Sequence, residues 1–393
     1  MLDRKRLTGR LAAACLSAAL FLPFPALSFP AYAQSPEFAY SAEKWAALRD
    51  NKLEYDEIAD LVHEYNNTVV QNNLEYQDYK SKTRDDIAQD YYDRAEEIYS
   101  NIEYPDTDDS NYGSQMSAAL NSKIQADNLM EQGDESVEDS ETLKLGYDQT
   151  EAGLVQQAQG LMISYRSQYD SLESLRERKT LAEASYQSEL TRMSAGMSTQ
   201  ASVLSAKEAV TSAEASILSA ESNLEKTKQS LCLMLGWDYG IQVEIGELPE
   251  LDLDEIAAID VNADVAKAQE QSYSIRLTTK RLENARTTKV RETLAQTLAS
   301  QQRTVANSVK SAYESLILAR SSYEQVLQAY GLEQVSMEAA ERKLQAGTMT
   351  KNAYQTQKSS YLTAEVSVQT QKLSLLQAKL EYDWAVAGLA AAS

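Results

Sequence analysis

A chain of 393 residues with 59 acidic and 37 basic side chains carries a net charge of −22, a surface that repels nucleic acid and anionic lipid headgroups. Its one histidine, His63, excludes a histidine metal cluster or a histidine-based catalytic triad within one chain. Many Ala, Ser, Gln, Glu, Leu and Tyr favour helices, and too few large apolar residues remain for a big globular core, so long helices sharing narrow seams are expected.

At the start, the basic stub "MLDRKRLTGR" leads into the apolar "LAAACLSAALFLPFPAL", the pattern of a signal peptide over residues 1–33. Ala31 and Ala33 of "AYA" supply the small residues a signal peptidase needs and place cleavage before Gln34. The apolar run is broken and too short to span a bilayer. Cys15 lies inside it, followed by more apolar sequence, a poor fit to a lipid-modified cysteine. Without Arg4, Lys5, Arg6, Arg10 and Asp3 the exported chain carries −25. Cys232, within "LCLML", is then its only cysteine and has no internal partner to oxidise with, so a buried small apolar role is expected.

An early helix is expected from about Ala42 to Glu103, roughly 90 Å long at 1.5 Å per residue. Tyr55, Ile58, Val62, Tyr65, Val69, Tyr76 and Tyr79 form its seam. Pro105 and Gly113, with "DTDDSN" between them, end it, and the acidic "EQGDESVEDS" from Glu131 to Ser140 reads as a solvated loop. A second long helix follows, with Leu154, Ala158, Leu161, Tyr165, Leu172, Leu175, Ala182 and Tyr186 at heptad steps and polar Gln168 and Lys179 filling two slots.

"SAGMST", Ser194 to Thr199, interrupts that helix. Gly196 can take the left-handed conformation that ends a helix, and Ser198 or Thr199 can cap the next. The returning helix has the seam Val203, Ala206, Val210, Ala213, Ile217, Ala220, Leu224, Thr227, Leu231 and Met234, alternating steps of three and four.

The second half opens on "LDEIA" at Leu253, matching "YDEIA" at Tyr55. No Gly or Pro occurs between Pro249 and Gly331, so the reversal that the repeat demands is placed by balance of the arms, between Ala285 and Gln301. "QAGTMT", Gln345 to Thr350, then repeats the earlier break 151 residues on, with Gly347 as the left-handed residue and Thr348 or Thr350 as the cap. The first seam recurs in register as Tyr354, Gln357, Tyr361, Ala364, Val368, Gln371, Leu375, Ala378, Tyr382 and Ala385. The chain therefore divides into a leader, a first repeat over 34–250 with an acidic apex near 104–145, and a second over 251–393. The expected fold class is all-α, with long antiparallel coiled-coil hairpins in two tandem structural repeats. Trp237 and Trp384 follow the two late helices at matching places, as core packing or anchors of the equatorial ends.

The signal peptide, duplicated half, "LDLDEIAA", "YQSELTRMSAGMSTQASVLSAKEAV" and closing "LCLMLGW" together resemble the TolC-like outer-membrane efflux family. The resemblance covers most of the exported chain. It implies a trimeric helical conduit, each late hairpin turning at a glycine in a Val-Gly-Leu type motif at the periplasmic tip. On this chain that motif falls on Ala195, Gly196 and Met197 and on Ala346, Gly347 and Thr348. The implied partners are a periplasmic adaptor (membrane fusion) protein and an inner-membrane or ABC-type pump, with no cofactor and no metal.

Two departures stand out. Members of the family carry paired membrane strands at the apex of each half, and such strands read as about ten residues alternating apolar with polar. None occurs around Ala285 to Gln301, and "PDTDDSNYGSQ" is too polar to face lipid, so the β-barrel is expected to be absent or vestigial and direct membrane insertion is not implied. Family members also place aspartates six and nine residues after the second glycine as a pore gate. Here Ala353 and Thr356 stand there, and Ser202 and Ser205 in the first copy, so a carboxylate gate is not supported. No phosphate-cradling glycine loop occurs, and carboxylate pairs such as Asp85 and Asp86 or Asp108 and Asp109 are expected to be solvated rather than catalytic. The alternative is a secreted coiled-coil scaffold or spacer of the cell envelope with no transport activity.

Overall fold

The structure, a computed structural model, describes residues 35–108, 110–238 and 240–391. The expected leader and the residues Ala31, Ala33 and Gln34 lie outside the described residues.

Two helical hairpins of matching size dominate the molecule. Helix α6 (Ser140–Ser194, 55 residues) returns as α7 (Gln200–Met234, 35 residues), and α11 (Thr288–Gln345, 58 residues) returns as α12 (Lys351–Trp384, 34 residues). Between Gln200 and Lys226 the only residues withdrawn from solvent are Val203, Ala206, Val210, Ala213, Ile217, Ala220 and Leu224, the seam itself. The polar slots in the facing helix are satisfied across the seam. Thr227 donates its hydroxyl to Gln168 Oε1 at 3.0 Å, and Lys179 pairs with Glu214 at 3.1 Å. In α12 the repeated seam is buried more deeply at Val368, Leu375 and Tyr382, the last two within a core shared with Val305, Val309 and Leu316, and the helix also packs on α6 through Ile163, Leu373, Leu376 and Leu380. The four helices thus lie side by side in the order α7, α6, α12, α11.

Shorter elements close one end of each hairpin. In the first half these are α1 (Ala42–Leu48), α2 (Ile58–Tyr65) and α3 (Asn67–Tyr79), with a two-residue parallel pair, β1 (Lys52–Leu53) on β2 (Glu244–Ile245). Their core gathers Trp45, Leu48, Leu53, Ile58, Leu61, Val62, Met162, Leu231 and Leu235. In the second half α8 (Leu253–Ala257), α9 (Val261–Gln271) and α10 (Tyr273–Asn284) build the equivalent core with Ile256, Ala268, Ile275, Val305, Val309, Leu316, Leu375 and Tyr382. Trp237 and Trp384 both pack against the first core, and the Trp384 indole donates to Gln159 at 2.7 Å. Cys232 is fully buried, and burial pushes its thiol pKa up.

The early helix departs from expectation. It is not continuous from Ala42 to Glu103 but is interrupted over residues 49–57, where β1 lies, then at Asn66 and again over Lys80–Thr83, before α4 (Arg84–Ser100). The seam positions Ile58, Val62 and Val69 are buried as expected, but the backbone yields to local polar groups. Asn66 takes an extended ψ of 124°, its side chain accepts from the backbone N–H groups of Thr68 and Val69, and its amide donates to Met234 O at 2.7 Å. Thr83 and Asp86 form a reciprocal capping box at the next start. The second half has a like joint, where buried Ser272 caps α10.

The acidic loop is a second correction. Glu131 to Glu135 are the last turns of α5 (Tyr112–Glu135), which contains Gly113 rather than starting after it. Only Ser136–Asp139 is loop, and it is half-buried because the guanidinium of Arg84, itself buried, donates to the carbonyls of Gly133, Asp134 and Ser136. The reversal in the second half falls at Ala285–Thr287, the near edge of the expected interval.

At the first apex, α4 and α5 form an antiparallel hairpin with a small-residue seam. It buries Ala88 and Ala95 from one helix and Ala119, Ala126 and Gly133 from the other, at seven-residue steps. The hairpin is tied at its base to the second half, where Arg286 pairs with Asp85, Lys289 with Glu135 at 2.8 Å, and Asn284 donates to Val137 O at 2.9 Å. Such a seam tolerates little added volume. Ala126→Leu is expected to cost about 1–3 kcal/mol locally, read as faster amide hydrogen exchange across Arg84–Glu135 with protection in α6 and α7 unchanged.

Candidate functional site

The motif residues Ala195, Gly196 and Met197 and their counterparts Ala346, Gly347 and Thr348 form two tight turns joining the long helices. Gly196 and Gly347 both have φ of +72°, a left-handed value that costs a residue with a Cβ about 1–2 kcal/mol. Their hydrogen bonds repeat atom for atom. The N–H of Gly196 donates to Met193 O at 3.0 Å and that of Met197 to Arg192 O at 2.8 Å; the N–H of Gly347 donates to Leu344 O at 3.0 Å and that of Thr348 to Lys343 O at 2.9 Å. This is the Schellman arrangement, which consumes carbonyls that a helix end leaves unpaired. Three residues after each glycine a threonine restarts the chain: Thr199 Oγ1 accepts from Ser202 N and Thr350 Oγ1 from Ala353 N. Of the four candidate caps, Thr199 and Thr350 serve; Ser198 instead donates to Glu189, and Thr348 folds its hydroxyl back onto Lys343 O at 3.1 Å.

Among the described residues, nothing beyond the adjoining residues lies within 4 Å of where a Cβ would sit on either glycine, so backbone conformation and not crowding selects glycine there. Because α12 runs antiparallel to α6 along their shared contact, both turns lie at the same end of the layer. Met197 is 67% exposed and Thr348 is also open to solvent. Ser202, Ser205, Ala353 and Thr356 are exposed in the first turns after the tips.

A charge pattern that the heptad seams do not reveal marks this end. The stretch from Arg342 to Lys358 holds four basic residues and no acidic one, in a chain where acids outnumber bases. Arg192 and Lys343 recur in register four residues before the two glycines, and Lys207 and Lys358 eleven after. In the first copy Glu189 pairs with Arg192 at 2.8 Å; in the second no acid among the described residues pairs with Lys343, and Lys351 and Lys358 add to it. Cations in the last turn of a helix also complement its dipole. The signal was legible as an acid-free run, but it stands out only when the turns place both ends of the run together.

No protein-family model and no curated protein matches the sequence. Solved structures do. A membrane protein from Pseudomonas aeruginosa is 13% identical, with 85% of this chain and 90% of its own covered at a TM-score of 0.58. The Campylobacter jejuni CmeC outer membrane channel is 12% identical, with 96% and 95% covered at 0.52, and the Vibrio cholerae outer membrane protein VceC is 10% identical, with 88% and 99% covered at 0.52. The chain has a TolC-like fold. β1 and β2 are the only strands among the described residues, and they close no barrel. The first apex carries the α4–α5 helical hairpin. No helix among the described residues is long and apolar enough to cross a membrane, and no group of three or more His, Cys, Asp or Glu side chains gathers there to hold a metal.

Proposed function

We propose that the protein is a component of a cell-envelope efflux or export system, a homotrimeric helical conduit that docks an adaptor through Ala195–Met197 and Ala346–Thr348. In this reading residues 1–33 direct export, residues 34–250 and 251–393 are the two repeats, and an inner-membrane or ABC-type pump drives transport. The protein performs no covalent chemistry. The observation that carries the reading is the edge of the four-helix layer. The outer faces of α7 and α11 leave aliphatic side chains in water, with Leu218 70% and Leu332 72% exposed beside Leu204, Leu318 and Val335. Two unpartnered apolar edges on one layer fit a ring in which α7 of one copy meets α11 of the next. The likeness to the CmeC outer membrane channel and to the outer membrane protein VceC adds support.

Light scattering tests this. The purified protein is expected at three times the mass of the exported chain, and at more than that with its adaptor bound; a chain that stays monomeric in the adaptor's presence refutes the conduit. A second reading, an envelope scaffold without transport, is favoured by the helical hairpin at the first apex. Cell fractionation separates the two, since a conduit sediments with outer membrane and a scaffold with wall or medium.

A further inference from the structure

Positive charge is concentrated at the hairpin tips. Residues 187–207 and 338–358 hold six basic side chains, Arg192, Lys207, Arg342, Lys343, Lys351 and Lys358, against three acidic ones, Glu189, Glu338 and Glu341. That is +3 at one end of a chain whose net charge is −22. All six bases are exposed and lie within about two helical turns, roughly 11 Å along the axes, of the glycine turns. Helix chemistry does not explain these placements. Helices α1, α2, α4, α6, α8 and α9 each carry Asp or Glu in the first turn, where a carboxylate meets the positive end of the dipole. In contrast α12 opens on Lys351 and has no acid in its first turn. A cation there opposes the dipole and costs stability, in a chain with 59 acidic residues to draw on.

The two tips are not equal. At the first, Glu189 pairs with Arg192 at 2.8 Å and also accepts the Ser198 hydroxyl, so the guanidinium is largely neutralised. At the second, Arg342 meets Glu338 only at 3.6 Å, with the two side chains 68% and 67% exposed, and no acid among the described residues pairs with Lys343, Lys351 or Lys358. The backbone of Lys343 is held in place, because its carbonyl accepts the N–H of Thr348 at 2.9 Å and the Thr348 hydroxyl at 3.1 Å. Lys351 and Lys358, seven residues apart, share one face of α12.

We propose that the surface these tips receive is acidic: the end of the adaptor that meets them carries more Asp and Glu than Lys and Arg, and Lys343, Lys351 and Lys358 of the second tip are its main electrostatic contacts. The inference rests on the docking reading of the tips. In the proposed ring three copies, at +3 each, bring nine net positive charges to one rim, a crowding of like charge that carboxylates from a partner relieve. Exposed bases of this kind act at a distance, so they speed association and decide which partner fits more than they add to affinity. The acidic body behind the tips repels an anionic bilayer, which favours a protein with a narrow acidic end over a membrane surface.

Surface plasmon resonance of the full exported chain tests this, with the adaptor of its export system as one probe and phosphatidylglycerol vesicles as the other. Adaptor affinity is expected to fall at least about tenfold between about 50 mM and about 500 mM salt, as the screening length drops below about 10 Å. Lys343→Gln, Lys351→Gln and Lys358→Gln combined are expected to slow association at least about fivefold and to flatten that salt dependence. Lys351→Glu separates contact from folding: it gives α12 an acid in its first turn, so the melting temperature is expected to rise while adaptor binding weakens. Lys310→Glu, an exposed change of equal charge about 50 Å back along α11, is expected to leave adaptor binding unchanged. Adaptor binding that is equal in wild type and triple variant and indifferent to salt overturns the acidic partner and leaves docking at the tips standing. No adaptor binding to wild type at either salt overturns docking, and this inference with it. Tighter capture by the vesicles than by the adaptor assigns the charge to lipid and overturns the proposal.

Discussion

Valine at both Gly196 and Gly347 is expected to weaken adaptor binding at least about tenfold, 1.4 kcal/mol, while leaving the helical circular dichroism signal nearly unchanged. Both positions sit at φ of +72°, where a β-branched side chain is strained by its own backbone. With nothing within 4 Å of either, no neighbour has to move, and the strain is relieved by rearranging the turn itself. That rearrangement breaks the N–H bonds to Arg192, Met193, Lys343 and Leu344 and moves Met197 and Thr348, the residues assigned to docking. The helices behind are held by seams that begin at Val203 and Tyr354 and do not depend on the turn. Isothermal titration with the adaptor, beside far-ultraviolet dichroism, checks both halves of the expectation. Unchanged affinity would remove the tips from the interface, and collapse of the helical signal would make the glycines purely structural.

Gly236→Ala is expected to do the opposite, damaging stability and sparing the tips. Gly236 has φ of +74° at the end of α7, and a Cβ there would stand 2.0 Å from Tyr65 O and 2.6 Å from its carbonyl carbon. These are backbone atoms at the end of α2, beside the joint where Asn66 donates to Met234 O. A methyl group must therefore separate two elements of the first core, adding overpacking to left-handed strain, about 2–5 kcal/mol together. Urea unfolding followed by dichroism is expected to show a lower midpoint for Gly236→Ala, with Gly196→Ala much closer to wild type. Equal midpoints would mean that the end of α2 gives way freely.

These two glycine sites differ in how far they could be read from residues alone. Gly196 announces itself, because it interrupts a heptad pattern and is followed by a capping threonine, and Gly347 repeats it. Gly236 looks like any glycine after a helix. Its importance comes from Tyr65, 171 residues earlier, and no local pattern records that approach. The same contrast separates the correct and incorrect elements. The seam of α7 is legible because a two-helix contact buries one stripe, at alternating steps of three and four, and leaves the rest of the helix in water. The breaks at Asn66 and Thr83 were not, because apolar spacing continues across them while side-chain caps interrupt the backbone.

The sequence by itself determined the helical class, the heptad seams, the two glycine turns and the 151-residue offset between them, since each follows from side chains near in the chain and from backbone geometry of single residues. Only the tertiary structure decided that the acidic stretch after Glu131 is helix and half-buried loop. Arg84, some fifty residues away, supplies the donors that draw its carbonyls out of water. It also decided that α12 rests on α6, which leaves the aliphatic edges of α7 and α11 open. Which face of an amphipathic helix meets which neighbour depends on the area buried between distant segments, and composition and period do not carry that information.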